Sequence, residues 1–139
     1  MMLRNPFVDK DFEPTLLYWL GGISIFDREE TLGEALWVYN PNENADREKI
    51  IRMFLLSKLA YLPYRHRFLM FKILGDALAQ SDFDFSKKFE SDHDDPRILA
   101  WDETEIENPR GFFEDIYRLA RDEWKDDLHK ASLEDQSTW

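Results

Sequence analysis

Apolar positions recur at helical spacing through the second half of the chain and more weakly through the first. After a polar turn at 42–46, Ile50, Ile51, Phe54, Leu55, Leu59 and Leu62 fall three or four residues apart, the period of one helix face. Pro63 interrupts that helix, and because proline is tolerated in a first helical turn a second helix starts there. Its stripe is Phe68, Phe71, Leu74 and Leu78, and it ends near Ser81 and Asp82. The two are predicted to form a sharply bent helix pair at the centre of the core. Further on, Asn108 as cap and Pro109 at the first position precede Phe112, Phe113, Ile116, Leu119, Ala120 and Trp124, which predicts a long amphipathic C-terminal helix to about Leu128.

The remaining segments give weaker patterns. Leu16 to Leu20, with Pro14 before and Gly21-Gly22 after, reads as a short helix, though a buried strand fits the same residues. Asp27 and Glu30 stand at capping-box spacing, and Leu32, Leu36 and Tyr39 follow at helical intervals, predicting a helix over 28–39 stopped by Asn40-Pro41. Gly33 and Val38 weaken it and keep a short β-hairpin near residues 16–40 as the alternative. Between 81 and 108 a short helix is expected near 86–90 and a docked extended piece near 97–101. Residues 131–139 have no pattern and are expected to fray. The fold class is thus mainly α, one compact helical domain over residues 1–139.

Composition supports a packed domain: 43% of the 139 residues are hydrophobic and 15% aromatic, including five Trp and eleven Phe, enough apolar material to offset chain entropy. There is no cysteine, which removes disulfides, thiolate metal sites and cysteine nucleophiles and suits a reducing cytoplasm. The first ten residues hold no apolar run of signal-peptide type. The longest apolar stretch, near 16–23, is far short of the about 20 residues that span a bilayer.

Charge alters the picture more. The net charge of -11 disfavours nucleic acid and anionic lipid as direct partners, and it is unevenly spread. Residues 1–44 carry three basic and eight acidic side chains, 45–75 seven and two, and 76–139 eight and nineteen. A basic middle lies between acidic ends. Arg52, Lys58, Arg65, Arg67 and Lys72 of that middle suit internal pairing with the acidic ends better than a nucleic-acid surface, because the aromatics among them fall mostly on the apolar stripe.

Few residues suggest chemistry. Asp92-His93-Asp94-Asp95 holds metal-ligand types, but in a polar stretch that reads as a solvated turn. His66 stands between Arg65 and Arg67. No Gly-x-Ser-x-Gly or phosphate-loop pattern is present. The adjacent carboxylates of helical doublets point about 100° apart and so do not share a proton as catalytic dyads do. Neither catalysis nor a cofactor or metal is expected.

What remains is the density of acid in the last third. Asp115, Asp122 and Asp126 lie seven and four residues apart and share one predicted helix face, with Asp102, Glu103, Glu105 and Glu107 just before it. Such a field speeds capture of a basic partner, and Trp101 and Trp124 are the candidate aromatic anchors. The candidate binding residues are therefore Trp101, Asp102, Glu103, Glu105, Asp115, Asp122, Trp124 and Asp126. The function expected from them is an acidic inhibitor, of the kind of a bacterial immunity protein, an antitoxin or a phage inhibitor of host defence, that blocks the active surface of a basic toxin or nuclease-like protein. The alternative is a non-catalytic adaptor, subunit or chaperone-like module.

Overall fold

In a computed structural model, which describes residues 3–5, 10–25, 28–90 and 99–139, the chain is mainly helical. The α-helices are α1 (Leu16–Trp19), α2 (Glu34–Leu36), α3 (Asn44–Ile50), α4 (Tyr64–Leu78), α5 (Pro109–Glu123) and α6 (Lys125–Ser132). No helix among the described residues is long and apolar enough to cross a membrane. The hairpin alternative for 16–40 is not adopted among the described residues, where in place of strands there are isolated antiparallel bridges, Arg4 with Asp11 and Ser24 with Leu99.

Local chemistry explains the short elements. Thr15 caps α1, its hydroxyl accepting from the Tyr18 amide at 3.2 Å, and the chain turns through a 3-10 turn at Gly21–Ile23. The helix expected over 28–39 is present but irregular. It begins as a π-helical turn, Glu29–Gly33, with the Gly33 amide on the Arg28 carbonyl at 3.1 Å, and becomes α2. Leu36 is fully buried, and Leu32 and Tyr39 pack against the core.

The bent pair is present too. Helix α3 runs on as a π-helical turn, Ile51–Leu56, then a 3-10 turn, Lys58–Tyr61, and Pro63 occupies the N-cap of α4. The stripe of α4 differs from the expected one: His66, Met70, Leu74 and Ala77 are buried, whereas Phe68 and Phe71 are half-buried. The buried positions still follow helical spacing, but they include a histidine and an alanine that apolar patterning passes over, and the face they form packs against α1, α5 and α6. Phe71 stacks on Tyr117 at 4.3 Å and Phe68 meets Trp139 edge-on at 5.7 Å.

Asn108 and Pro109 start α5 as expected, the Asn108 side chain accepting from the Gly111 amide at 3.0 Å. Phe112, Phe113, Ile116, Leu119 and Ala120 are all fully buried. The helix does not run unbroken to Leu128. It breaks at Trp124, whose ring stacks on Trp19 at 5.3 Å in the core, and α6 takes over. Phe85–Phe89 forms a 3-10 turn near the place predicted, its Phe85 and Phe89 locked against Phe112 and Phe113. Of the extended piece expected over 97–101, Leu99 to Trp101 is described. It docks through the Ala100 amide on the Ile23 carbonyl at 2.9 Å.

The last residues do not lack contacts. Ala131 is fully buried and Trp139 is 4% exposed. The Trp139 indole donates to Glu134 at 3.2 Å, and the same carboxylate binds the Tyr64 hydroxyl and, at 2.7 Å, Arg65. The Tyr64 hydroxyl first, then Arg65, hold the Glu134 carboxyl below its ordinary 4.5. A lowered native pKa means that this contribution is present above the ordinary value and is lost as pH falls through the native one. The tail is therefore expected to loosen below about pH 4.5, and Glu134→Gln to remove that acid transition. The Trp139 indole N–H resonance, followed by NMR, reports both.

Candidate functional site

The basic middle and the acidic C-terminal third meet face to face. Arg47 pairs with Asp115 at 2.9 Å, Arg52 with Glu123 at 2.7 Å and with Asp122 at 3.4 Å, Arg65 with Glu134 at 2.7 Å, and Arg67 with Asp127. Arg67 also lies over the Trp124 ring, 5.6 Å from its centroid. These pairs tie α3 and its π extension to α5, and α4 to α6 and the tail. Exposed pairs contribute little singly, but the Arg47 side chain is only 11% exposed and that of Asp115 26%, so both are largely withdrawn from a partner. Three of the five cations weighed as a nucleic-acid surface, Arg52, Arg65 and Arg67, are engaged by carboxylates.

That geometry redistributes the candidate residues. Trp101 and Trp124, named as anchors, are core residues, each 5% exposed, and neither ring is offered to a partner. Asp115 is occupied by Arg47 and, at 3.7 Å, Arg118. Asp122 keeps most of its surface but leans toward Arg52. The run of spacing that put Asp126 on the face of Asp115 is broken at Trp124; Asp126 itself is exposed and makes no ion pair with any described residue. The outer side of α5 is not uniformly negative. Arg52, Arg118, Arg121 and Lys125 surround Asp122 in an open depression of about 580 Å³.

The acids that do remain outward belong to the turn before α5. The Asp102 carboxylate accepts from the Thr104 amide at 2.9 Å and hydroxyl at 2.5 Å, while Glu105 reaches back to the Asp102 amide at 3.2 Å. The Thr104 hydroxyl is the main reason the Asp102 carboxyl lies below the usual range. Ile106 is buried beneath the turn while Glu103, Glu105 and Glu107 are exposed, Glu105 with one oxygen held by the turn itself.

Beside this turn runs the segment after α2, tied to it at both ends. The Trp37 indole donates to the Ala100 carbonyl at 3.0 Å; Asn42 donates to the Glu105 carbonyl at 2.9 Å and accepts from the Glu107 amide at 2.9 Å. Trp37 is 49% exposed and Val38 75%. An exposed aromatic and an exposed aliphatic side chain thus sit on a segment tied to the turn that carries the exposed Glu103, Glu105 and Glu107, with exposed Glu43 following Asn42. Sequence reasoning placed the acids of this surface but missed Trp37. Its signal was the break at Asn40-Pro41, which puts Trp37 and Val38 at a helix end rather than in a stripe.

Asp92 to Asp95 lie outside the described residues. His66 is placed away from solvent: its Nε2 is 2.7 Å from the Arg4 carbonyl oxygen and its ring is 4.7 Å from Phe12. Among the described residues no group of three His, Cys, Asp or Glu is arranged to hold a metal ion. Comparison of the chain with protein-family models, curated protein sequences and solved structures finds no match to any of them.

Proposed function

We propose that the chain is a non-catalytic binding protein of the inhibitor kind, as immunity proteins and antitoxins are, and that it covers a basic surface of a protein partner. The observation that carries this reading is the pairing of half-exposed Trp37 and exposed Val38 with Glu103, Glu105 and Glu107 on a cross-tied base. Interfaces draw most of their energy from a few aromatic anchors, and charge around the anchor sets encounter rate and partner sign. The base is held by hydrogen bonds between the Trp37 and Asn42 side chains and the opposing backbone before any partner arrives, which limits the ordering cost of association.

The test is recovery of the full chain with its partner from native cells at low and at high salt, with the partner identified by mass spectrometry and its affinity measured. A basic protein released by salt is expected. Trp37→Ala should weaken its binding by roughly 30-fold, the loss of about 2 kcal/mol expected of a central Trp. Reversal of Glu103, Glu105 and Glu107 to Lys should slow association and abolish its salt dependence. An acidic partner, or unchanged affinity in both variants, would sink the reading.

The adaptor or subunit reading keeps one observation of its own: a second, oppositely charged apolar surface around Lys58, with Met53 54% and Tyr61 41% exposed.

A further inference from the structure

Two shallow depressions meet at Lys58. One, of about 260 Å³, is walled by Leu17, Tyr18, Leu59 and Tyr61 and floored by the open side of Gly21. The other, of about 220 Å³, is walled by Arg28, Leu32, Met53 and Phe54 over Gly22. Gly21 and Gly22 are consecutive and Lys58 borders both, so the depressions form one trough divided by the lysine.

Three independent features converge there. Both π-helical turns among the described residues border the second depression, Glu29–Gly33 through Leu32 and Ile51–Leu56 through Met53 and Phe54; such turns are rare and recur at functional sites. Among the described residues the charges lining the trough are Arg28 and Lys58, with no carboxylate, in a chain of net charge -11. Neither cation has an ion-pair partner among the described residues, and Arg28 is steadied on the Ser24 carbonyl at 2.8 Å. The Tyr18 and Tyr61 hydroxyls bond to each other. Burial first, then that bond, push the Tyr61 phenol above its usual range, so this wall stays neutral.

We propose that this trough docks a short segment of a partner protein in which an Asp or Glu stands between two apolar side chains. The carboxylate meets Lys58, and the apolar groups fill the depressions on either side. Each depression alone is below the roughly 300–1,000 Å³ of small-molecule pockets, and both are open. An occupant must therefore supply two separate apolar groups with an acid between them, which a peptide does within a few residues. The surface and its polarity differ from those of the Trp37 site, so either can fail without the other.

Panning a phage-displayed library of random heptapeptides against the full chain tests the proposal, followed by titration of a synthetic copy of an enriched peptide. Enriched sequences should carry an acid flanked by apolar residues. Lys58→Glu should weaken binding about tenfold or more, because an attraction becomes a repulsion. Gly21→Leu should do the same by filling the trough, since a β-carbon there meets no atom within 4 Å and the side chain has room to extend, and Glu103→Lys should leave the affinity unchanged. Should Gly21→Leu fold poorly, Lys58→Glu still decides, because Lys58 is exposed and makes no ion pair with any described residue. No enrichment, enriched peptides without an acid, or an affinity indifferent to Lys58→Glu would overturn the proposal. So would preferential binding of oleate, or a homodimer that Gly21→Leu dissolves.

Discussion

Gly22→Ala is expected to destabilise the fold by about 3 kcal/mol or more, the upper end of what overpacking costs, while Gly21→Ala one residue earlier stays within about 1 kcal/mol of the parent. The contrast is one of space. A β-carbon on Gly22 would stand 2.6 Å from the Phe54 carbonyl carbon and closer still to its oxygen, whereas one on Gly21 meets nothing within 4 Å. The obstacle at Gly22 is backbone, inside the π-helical turn Ile51–Leu56, so no rotamer change relieves it. Either the turn at Gly21–Ile23 moves away, uncovering Ile23, or the π turn shifts; both disturb fully buried residues. Thermal unfolding of the two variants should separate them by roughly 10 °C, and equal melting temperatures would show that the close approach is not what the fold requires.

Trp19→Ala should cost a similar amount, about 3–5 kcal/mol. Trp19 is fully buried, its ring stacked on Trp124 with 23° between the planes, and its indole donates to the Met70 carbonyl at 3.1 Å. One side chain therefore joins α1 to α4 and to the break between α5 and α6. Truncation leaves a cavity in contact with all of these, and the neighbours can close it only in part. Trp19→Phe should recover much of the loss, since an aromatic ring is retained while the indole N–H is not. Urea unfolding of both variants measures the difference; a loss under 1 kcal/mol for Trp19→Ala would mean that α1 is peripheral to stability.

These sites also mark where the sequence was sufficient. The bent pair at Pro63 and the start of α5 at Asn108-Pro109 were legible because proline and capping side chains act on their immediate neighbours. The α5 stripe was legible because its buried positions, Phe112, Phe113, Ile116, Leu119 and Ala120, are all apolar. The stripe of α4 was not, since its buried face, His66, Met70, Leu74 and Ala77, includes a histidine and a small alanine, while the larger Phe68 and Phe71 lie at half-buried edges. The π turns leave no signal in a 3.6-residue period. One of them, Ile51–Leu56, lies directly against Gly22 through the Phe54 carbonyl, a tertiary contact that no local pattern encodes.

The candidate binding surface divides in the same way. The sequence by itself determined a mainly helical chain, the places of its main helices, and a basic middle between acidic ends, because helix periodicity, capping and charge counts are local properties of the chain. Only the tertiary structure decided which acids are spent on Arg47, Arg52, Arg65 and Arg67 and which remain outward. It also decided that Trp101 and Trp124 are inside and Trp37 is partly outside. Burial and ion pairing depend on which distant segment arrives opposite a residue, 63 positions away for Trp37 and Ala100 and 68 for Arg47 and Asp115, and no local pattern encodes that.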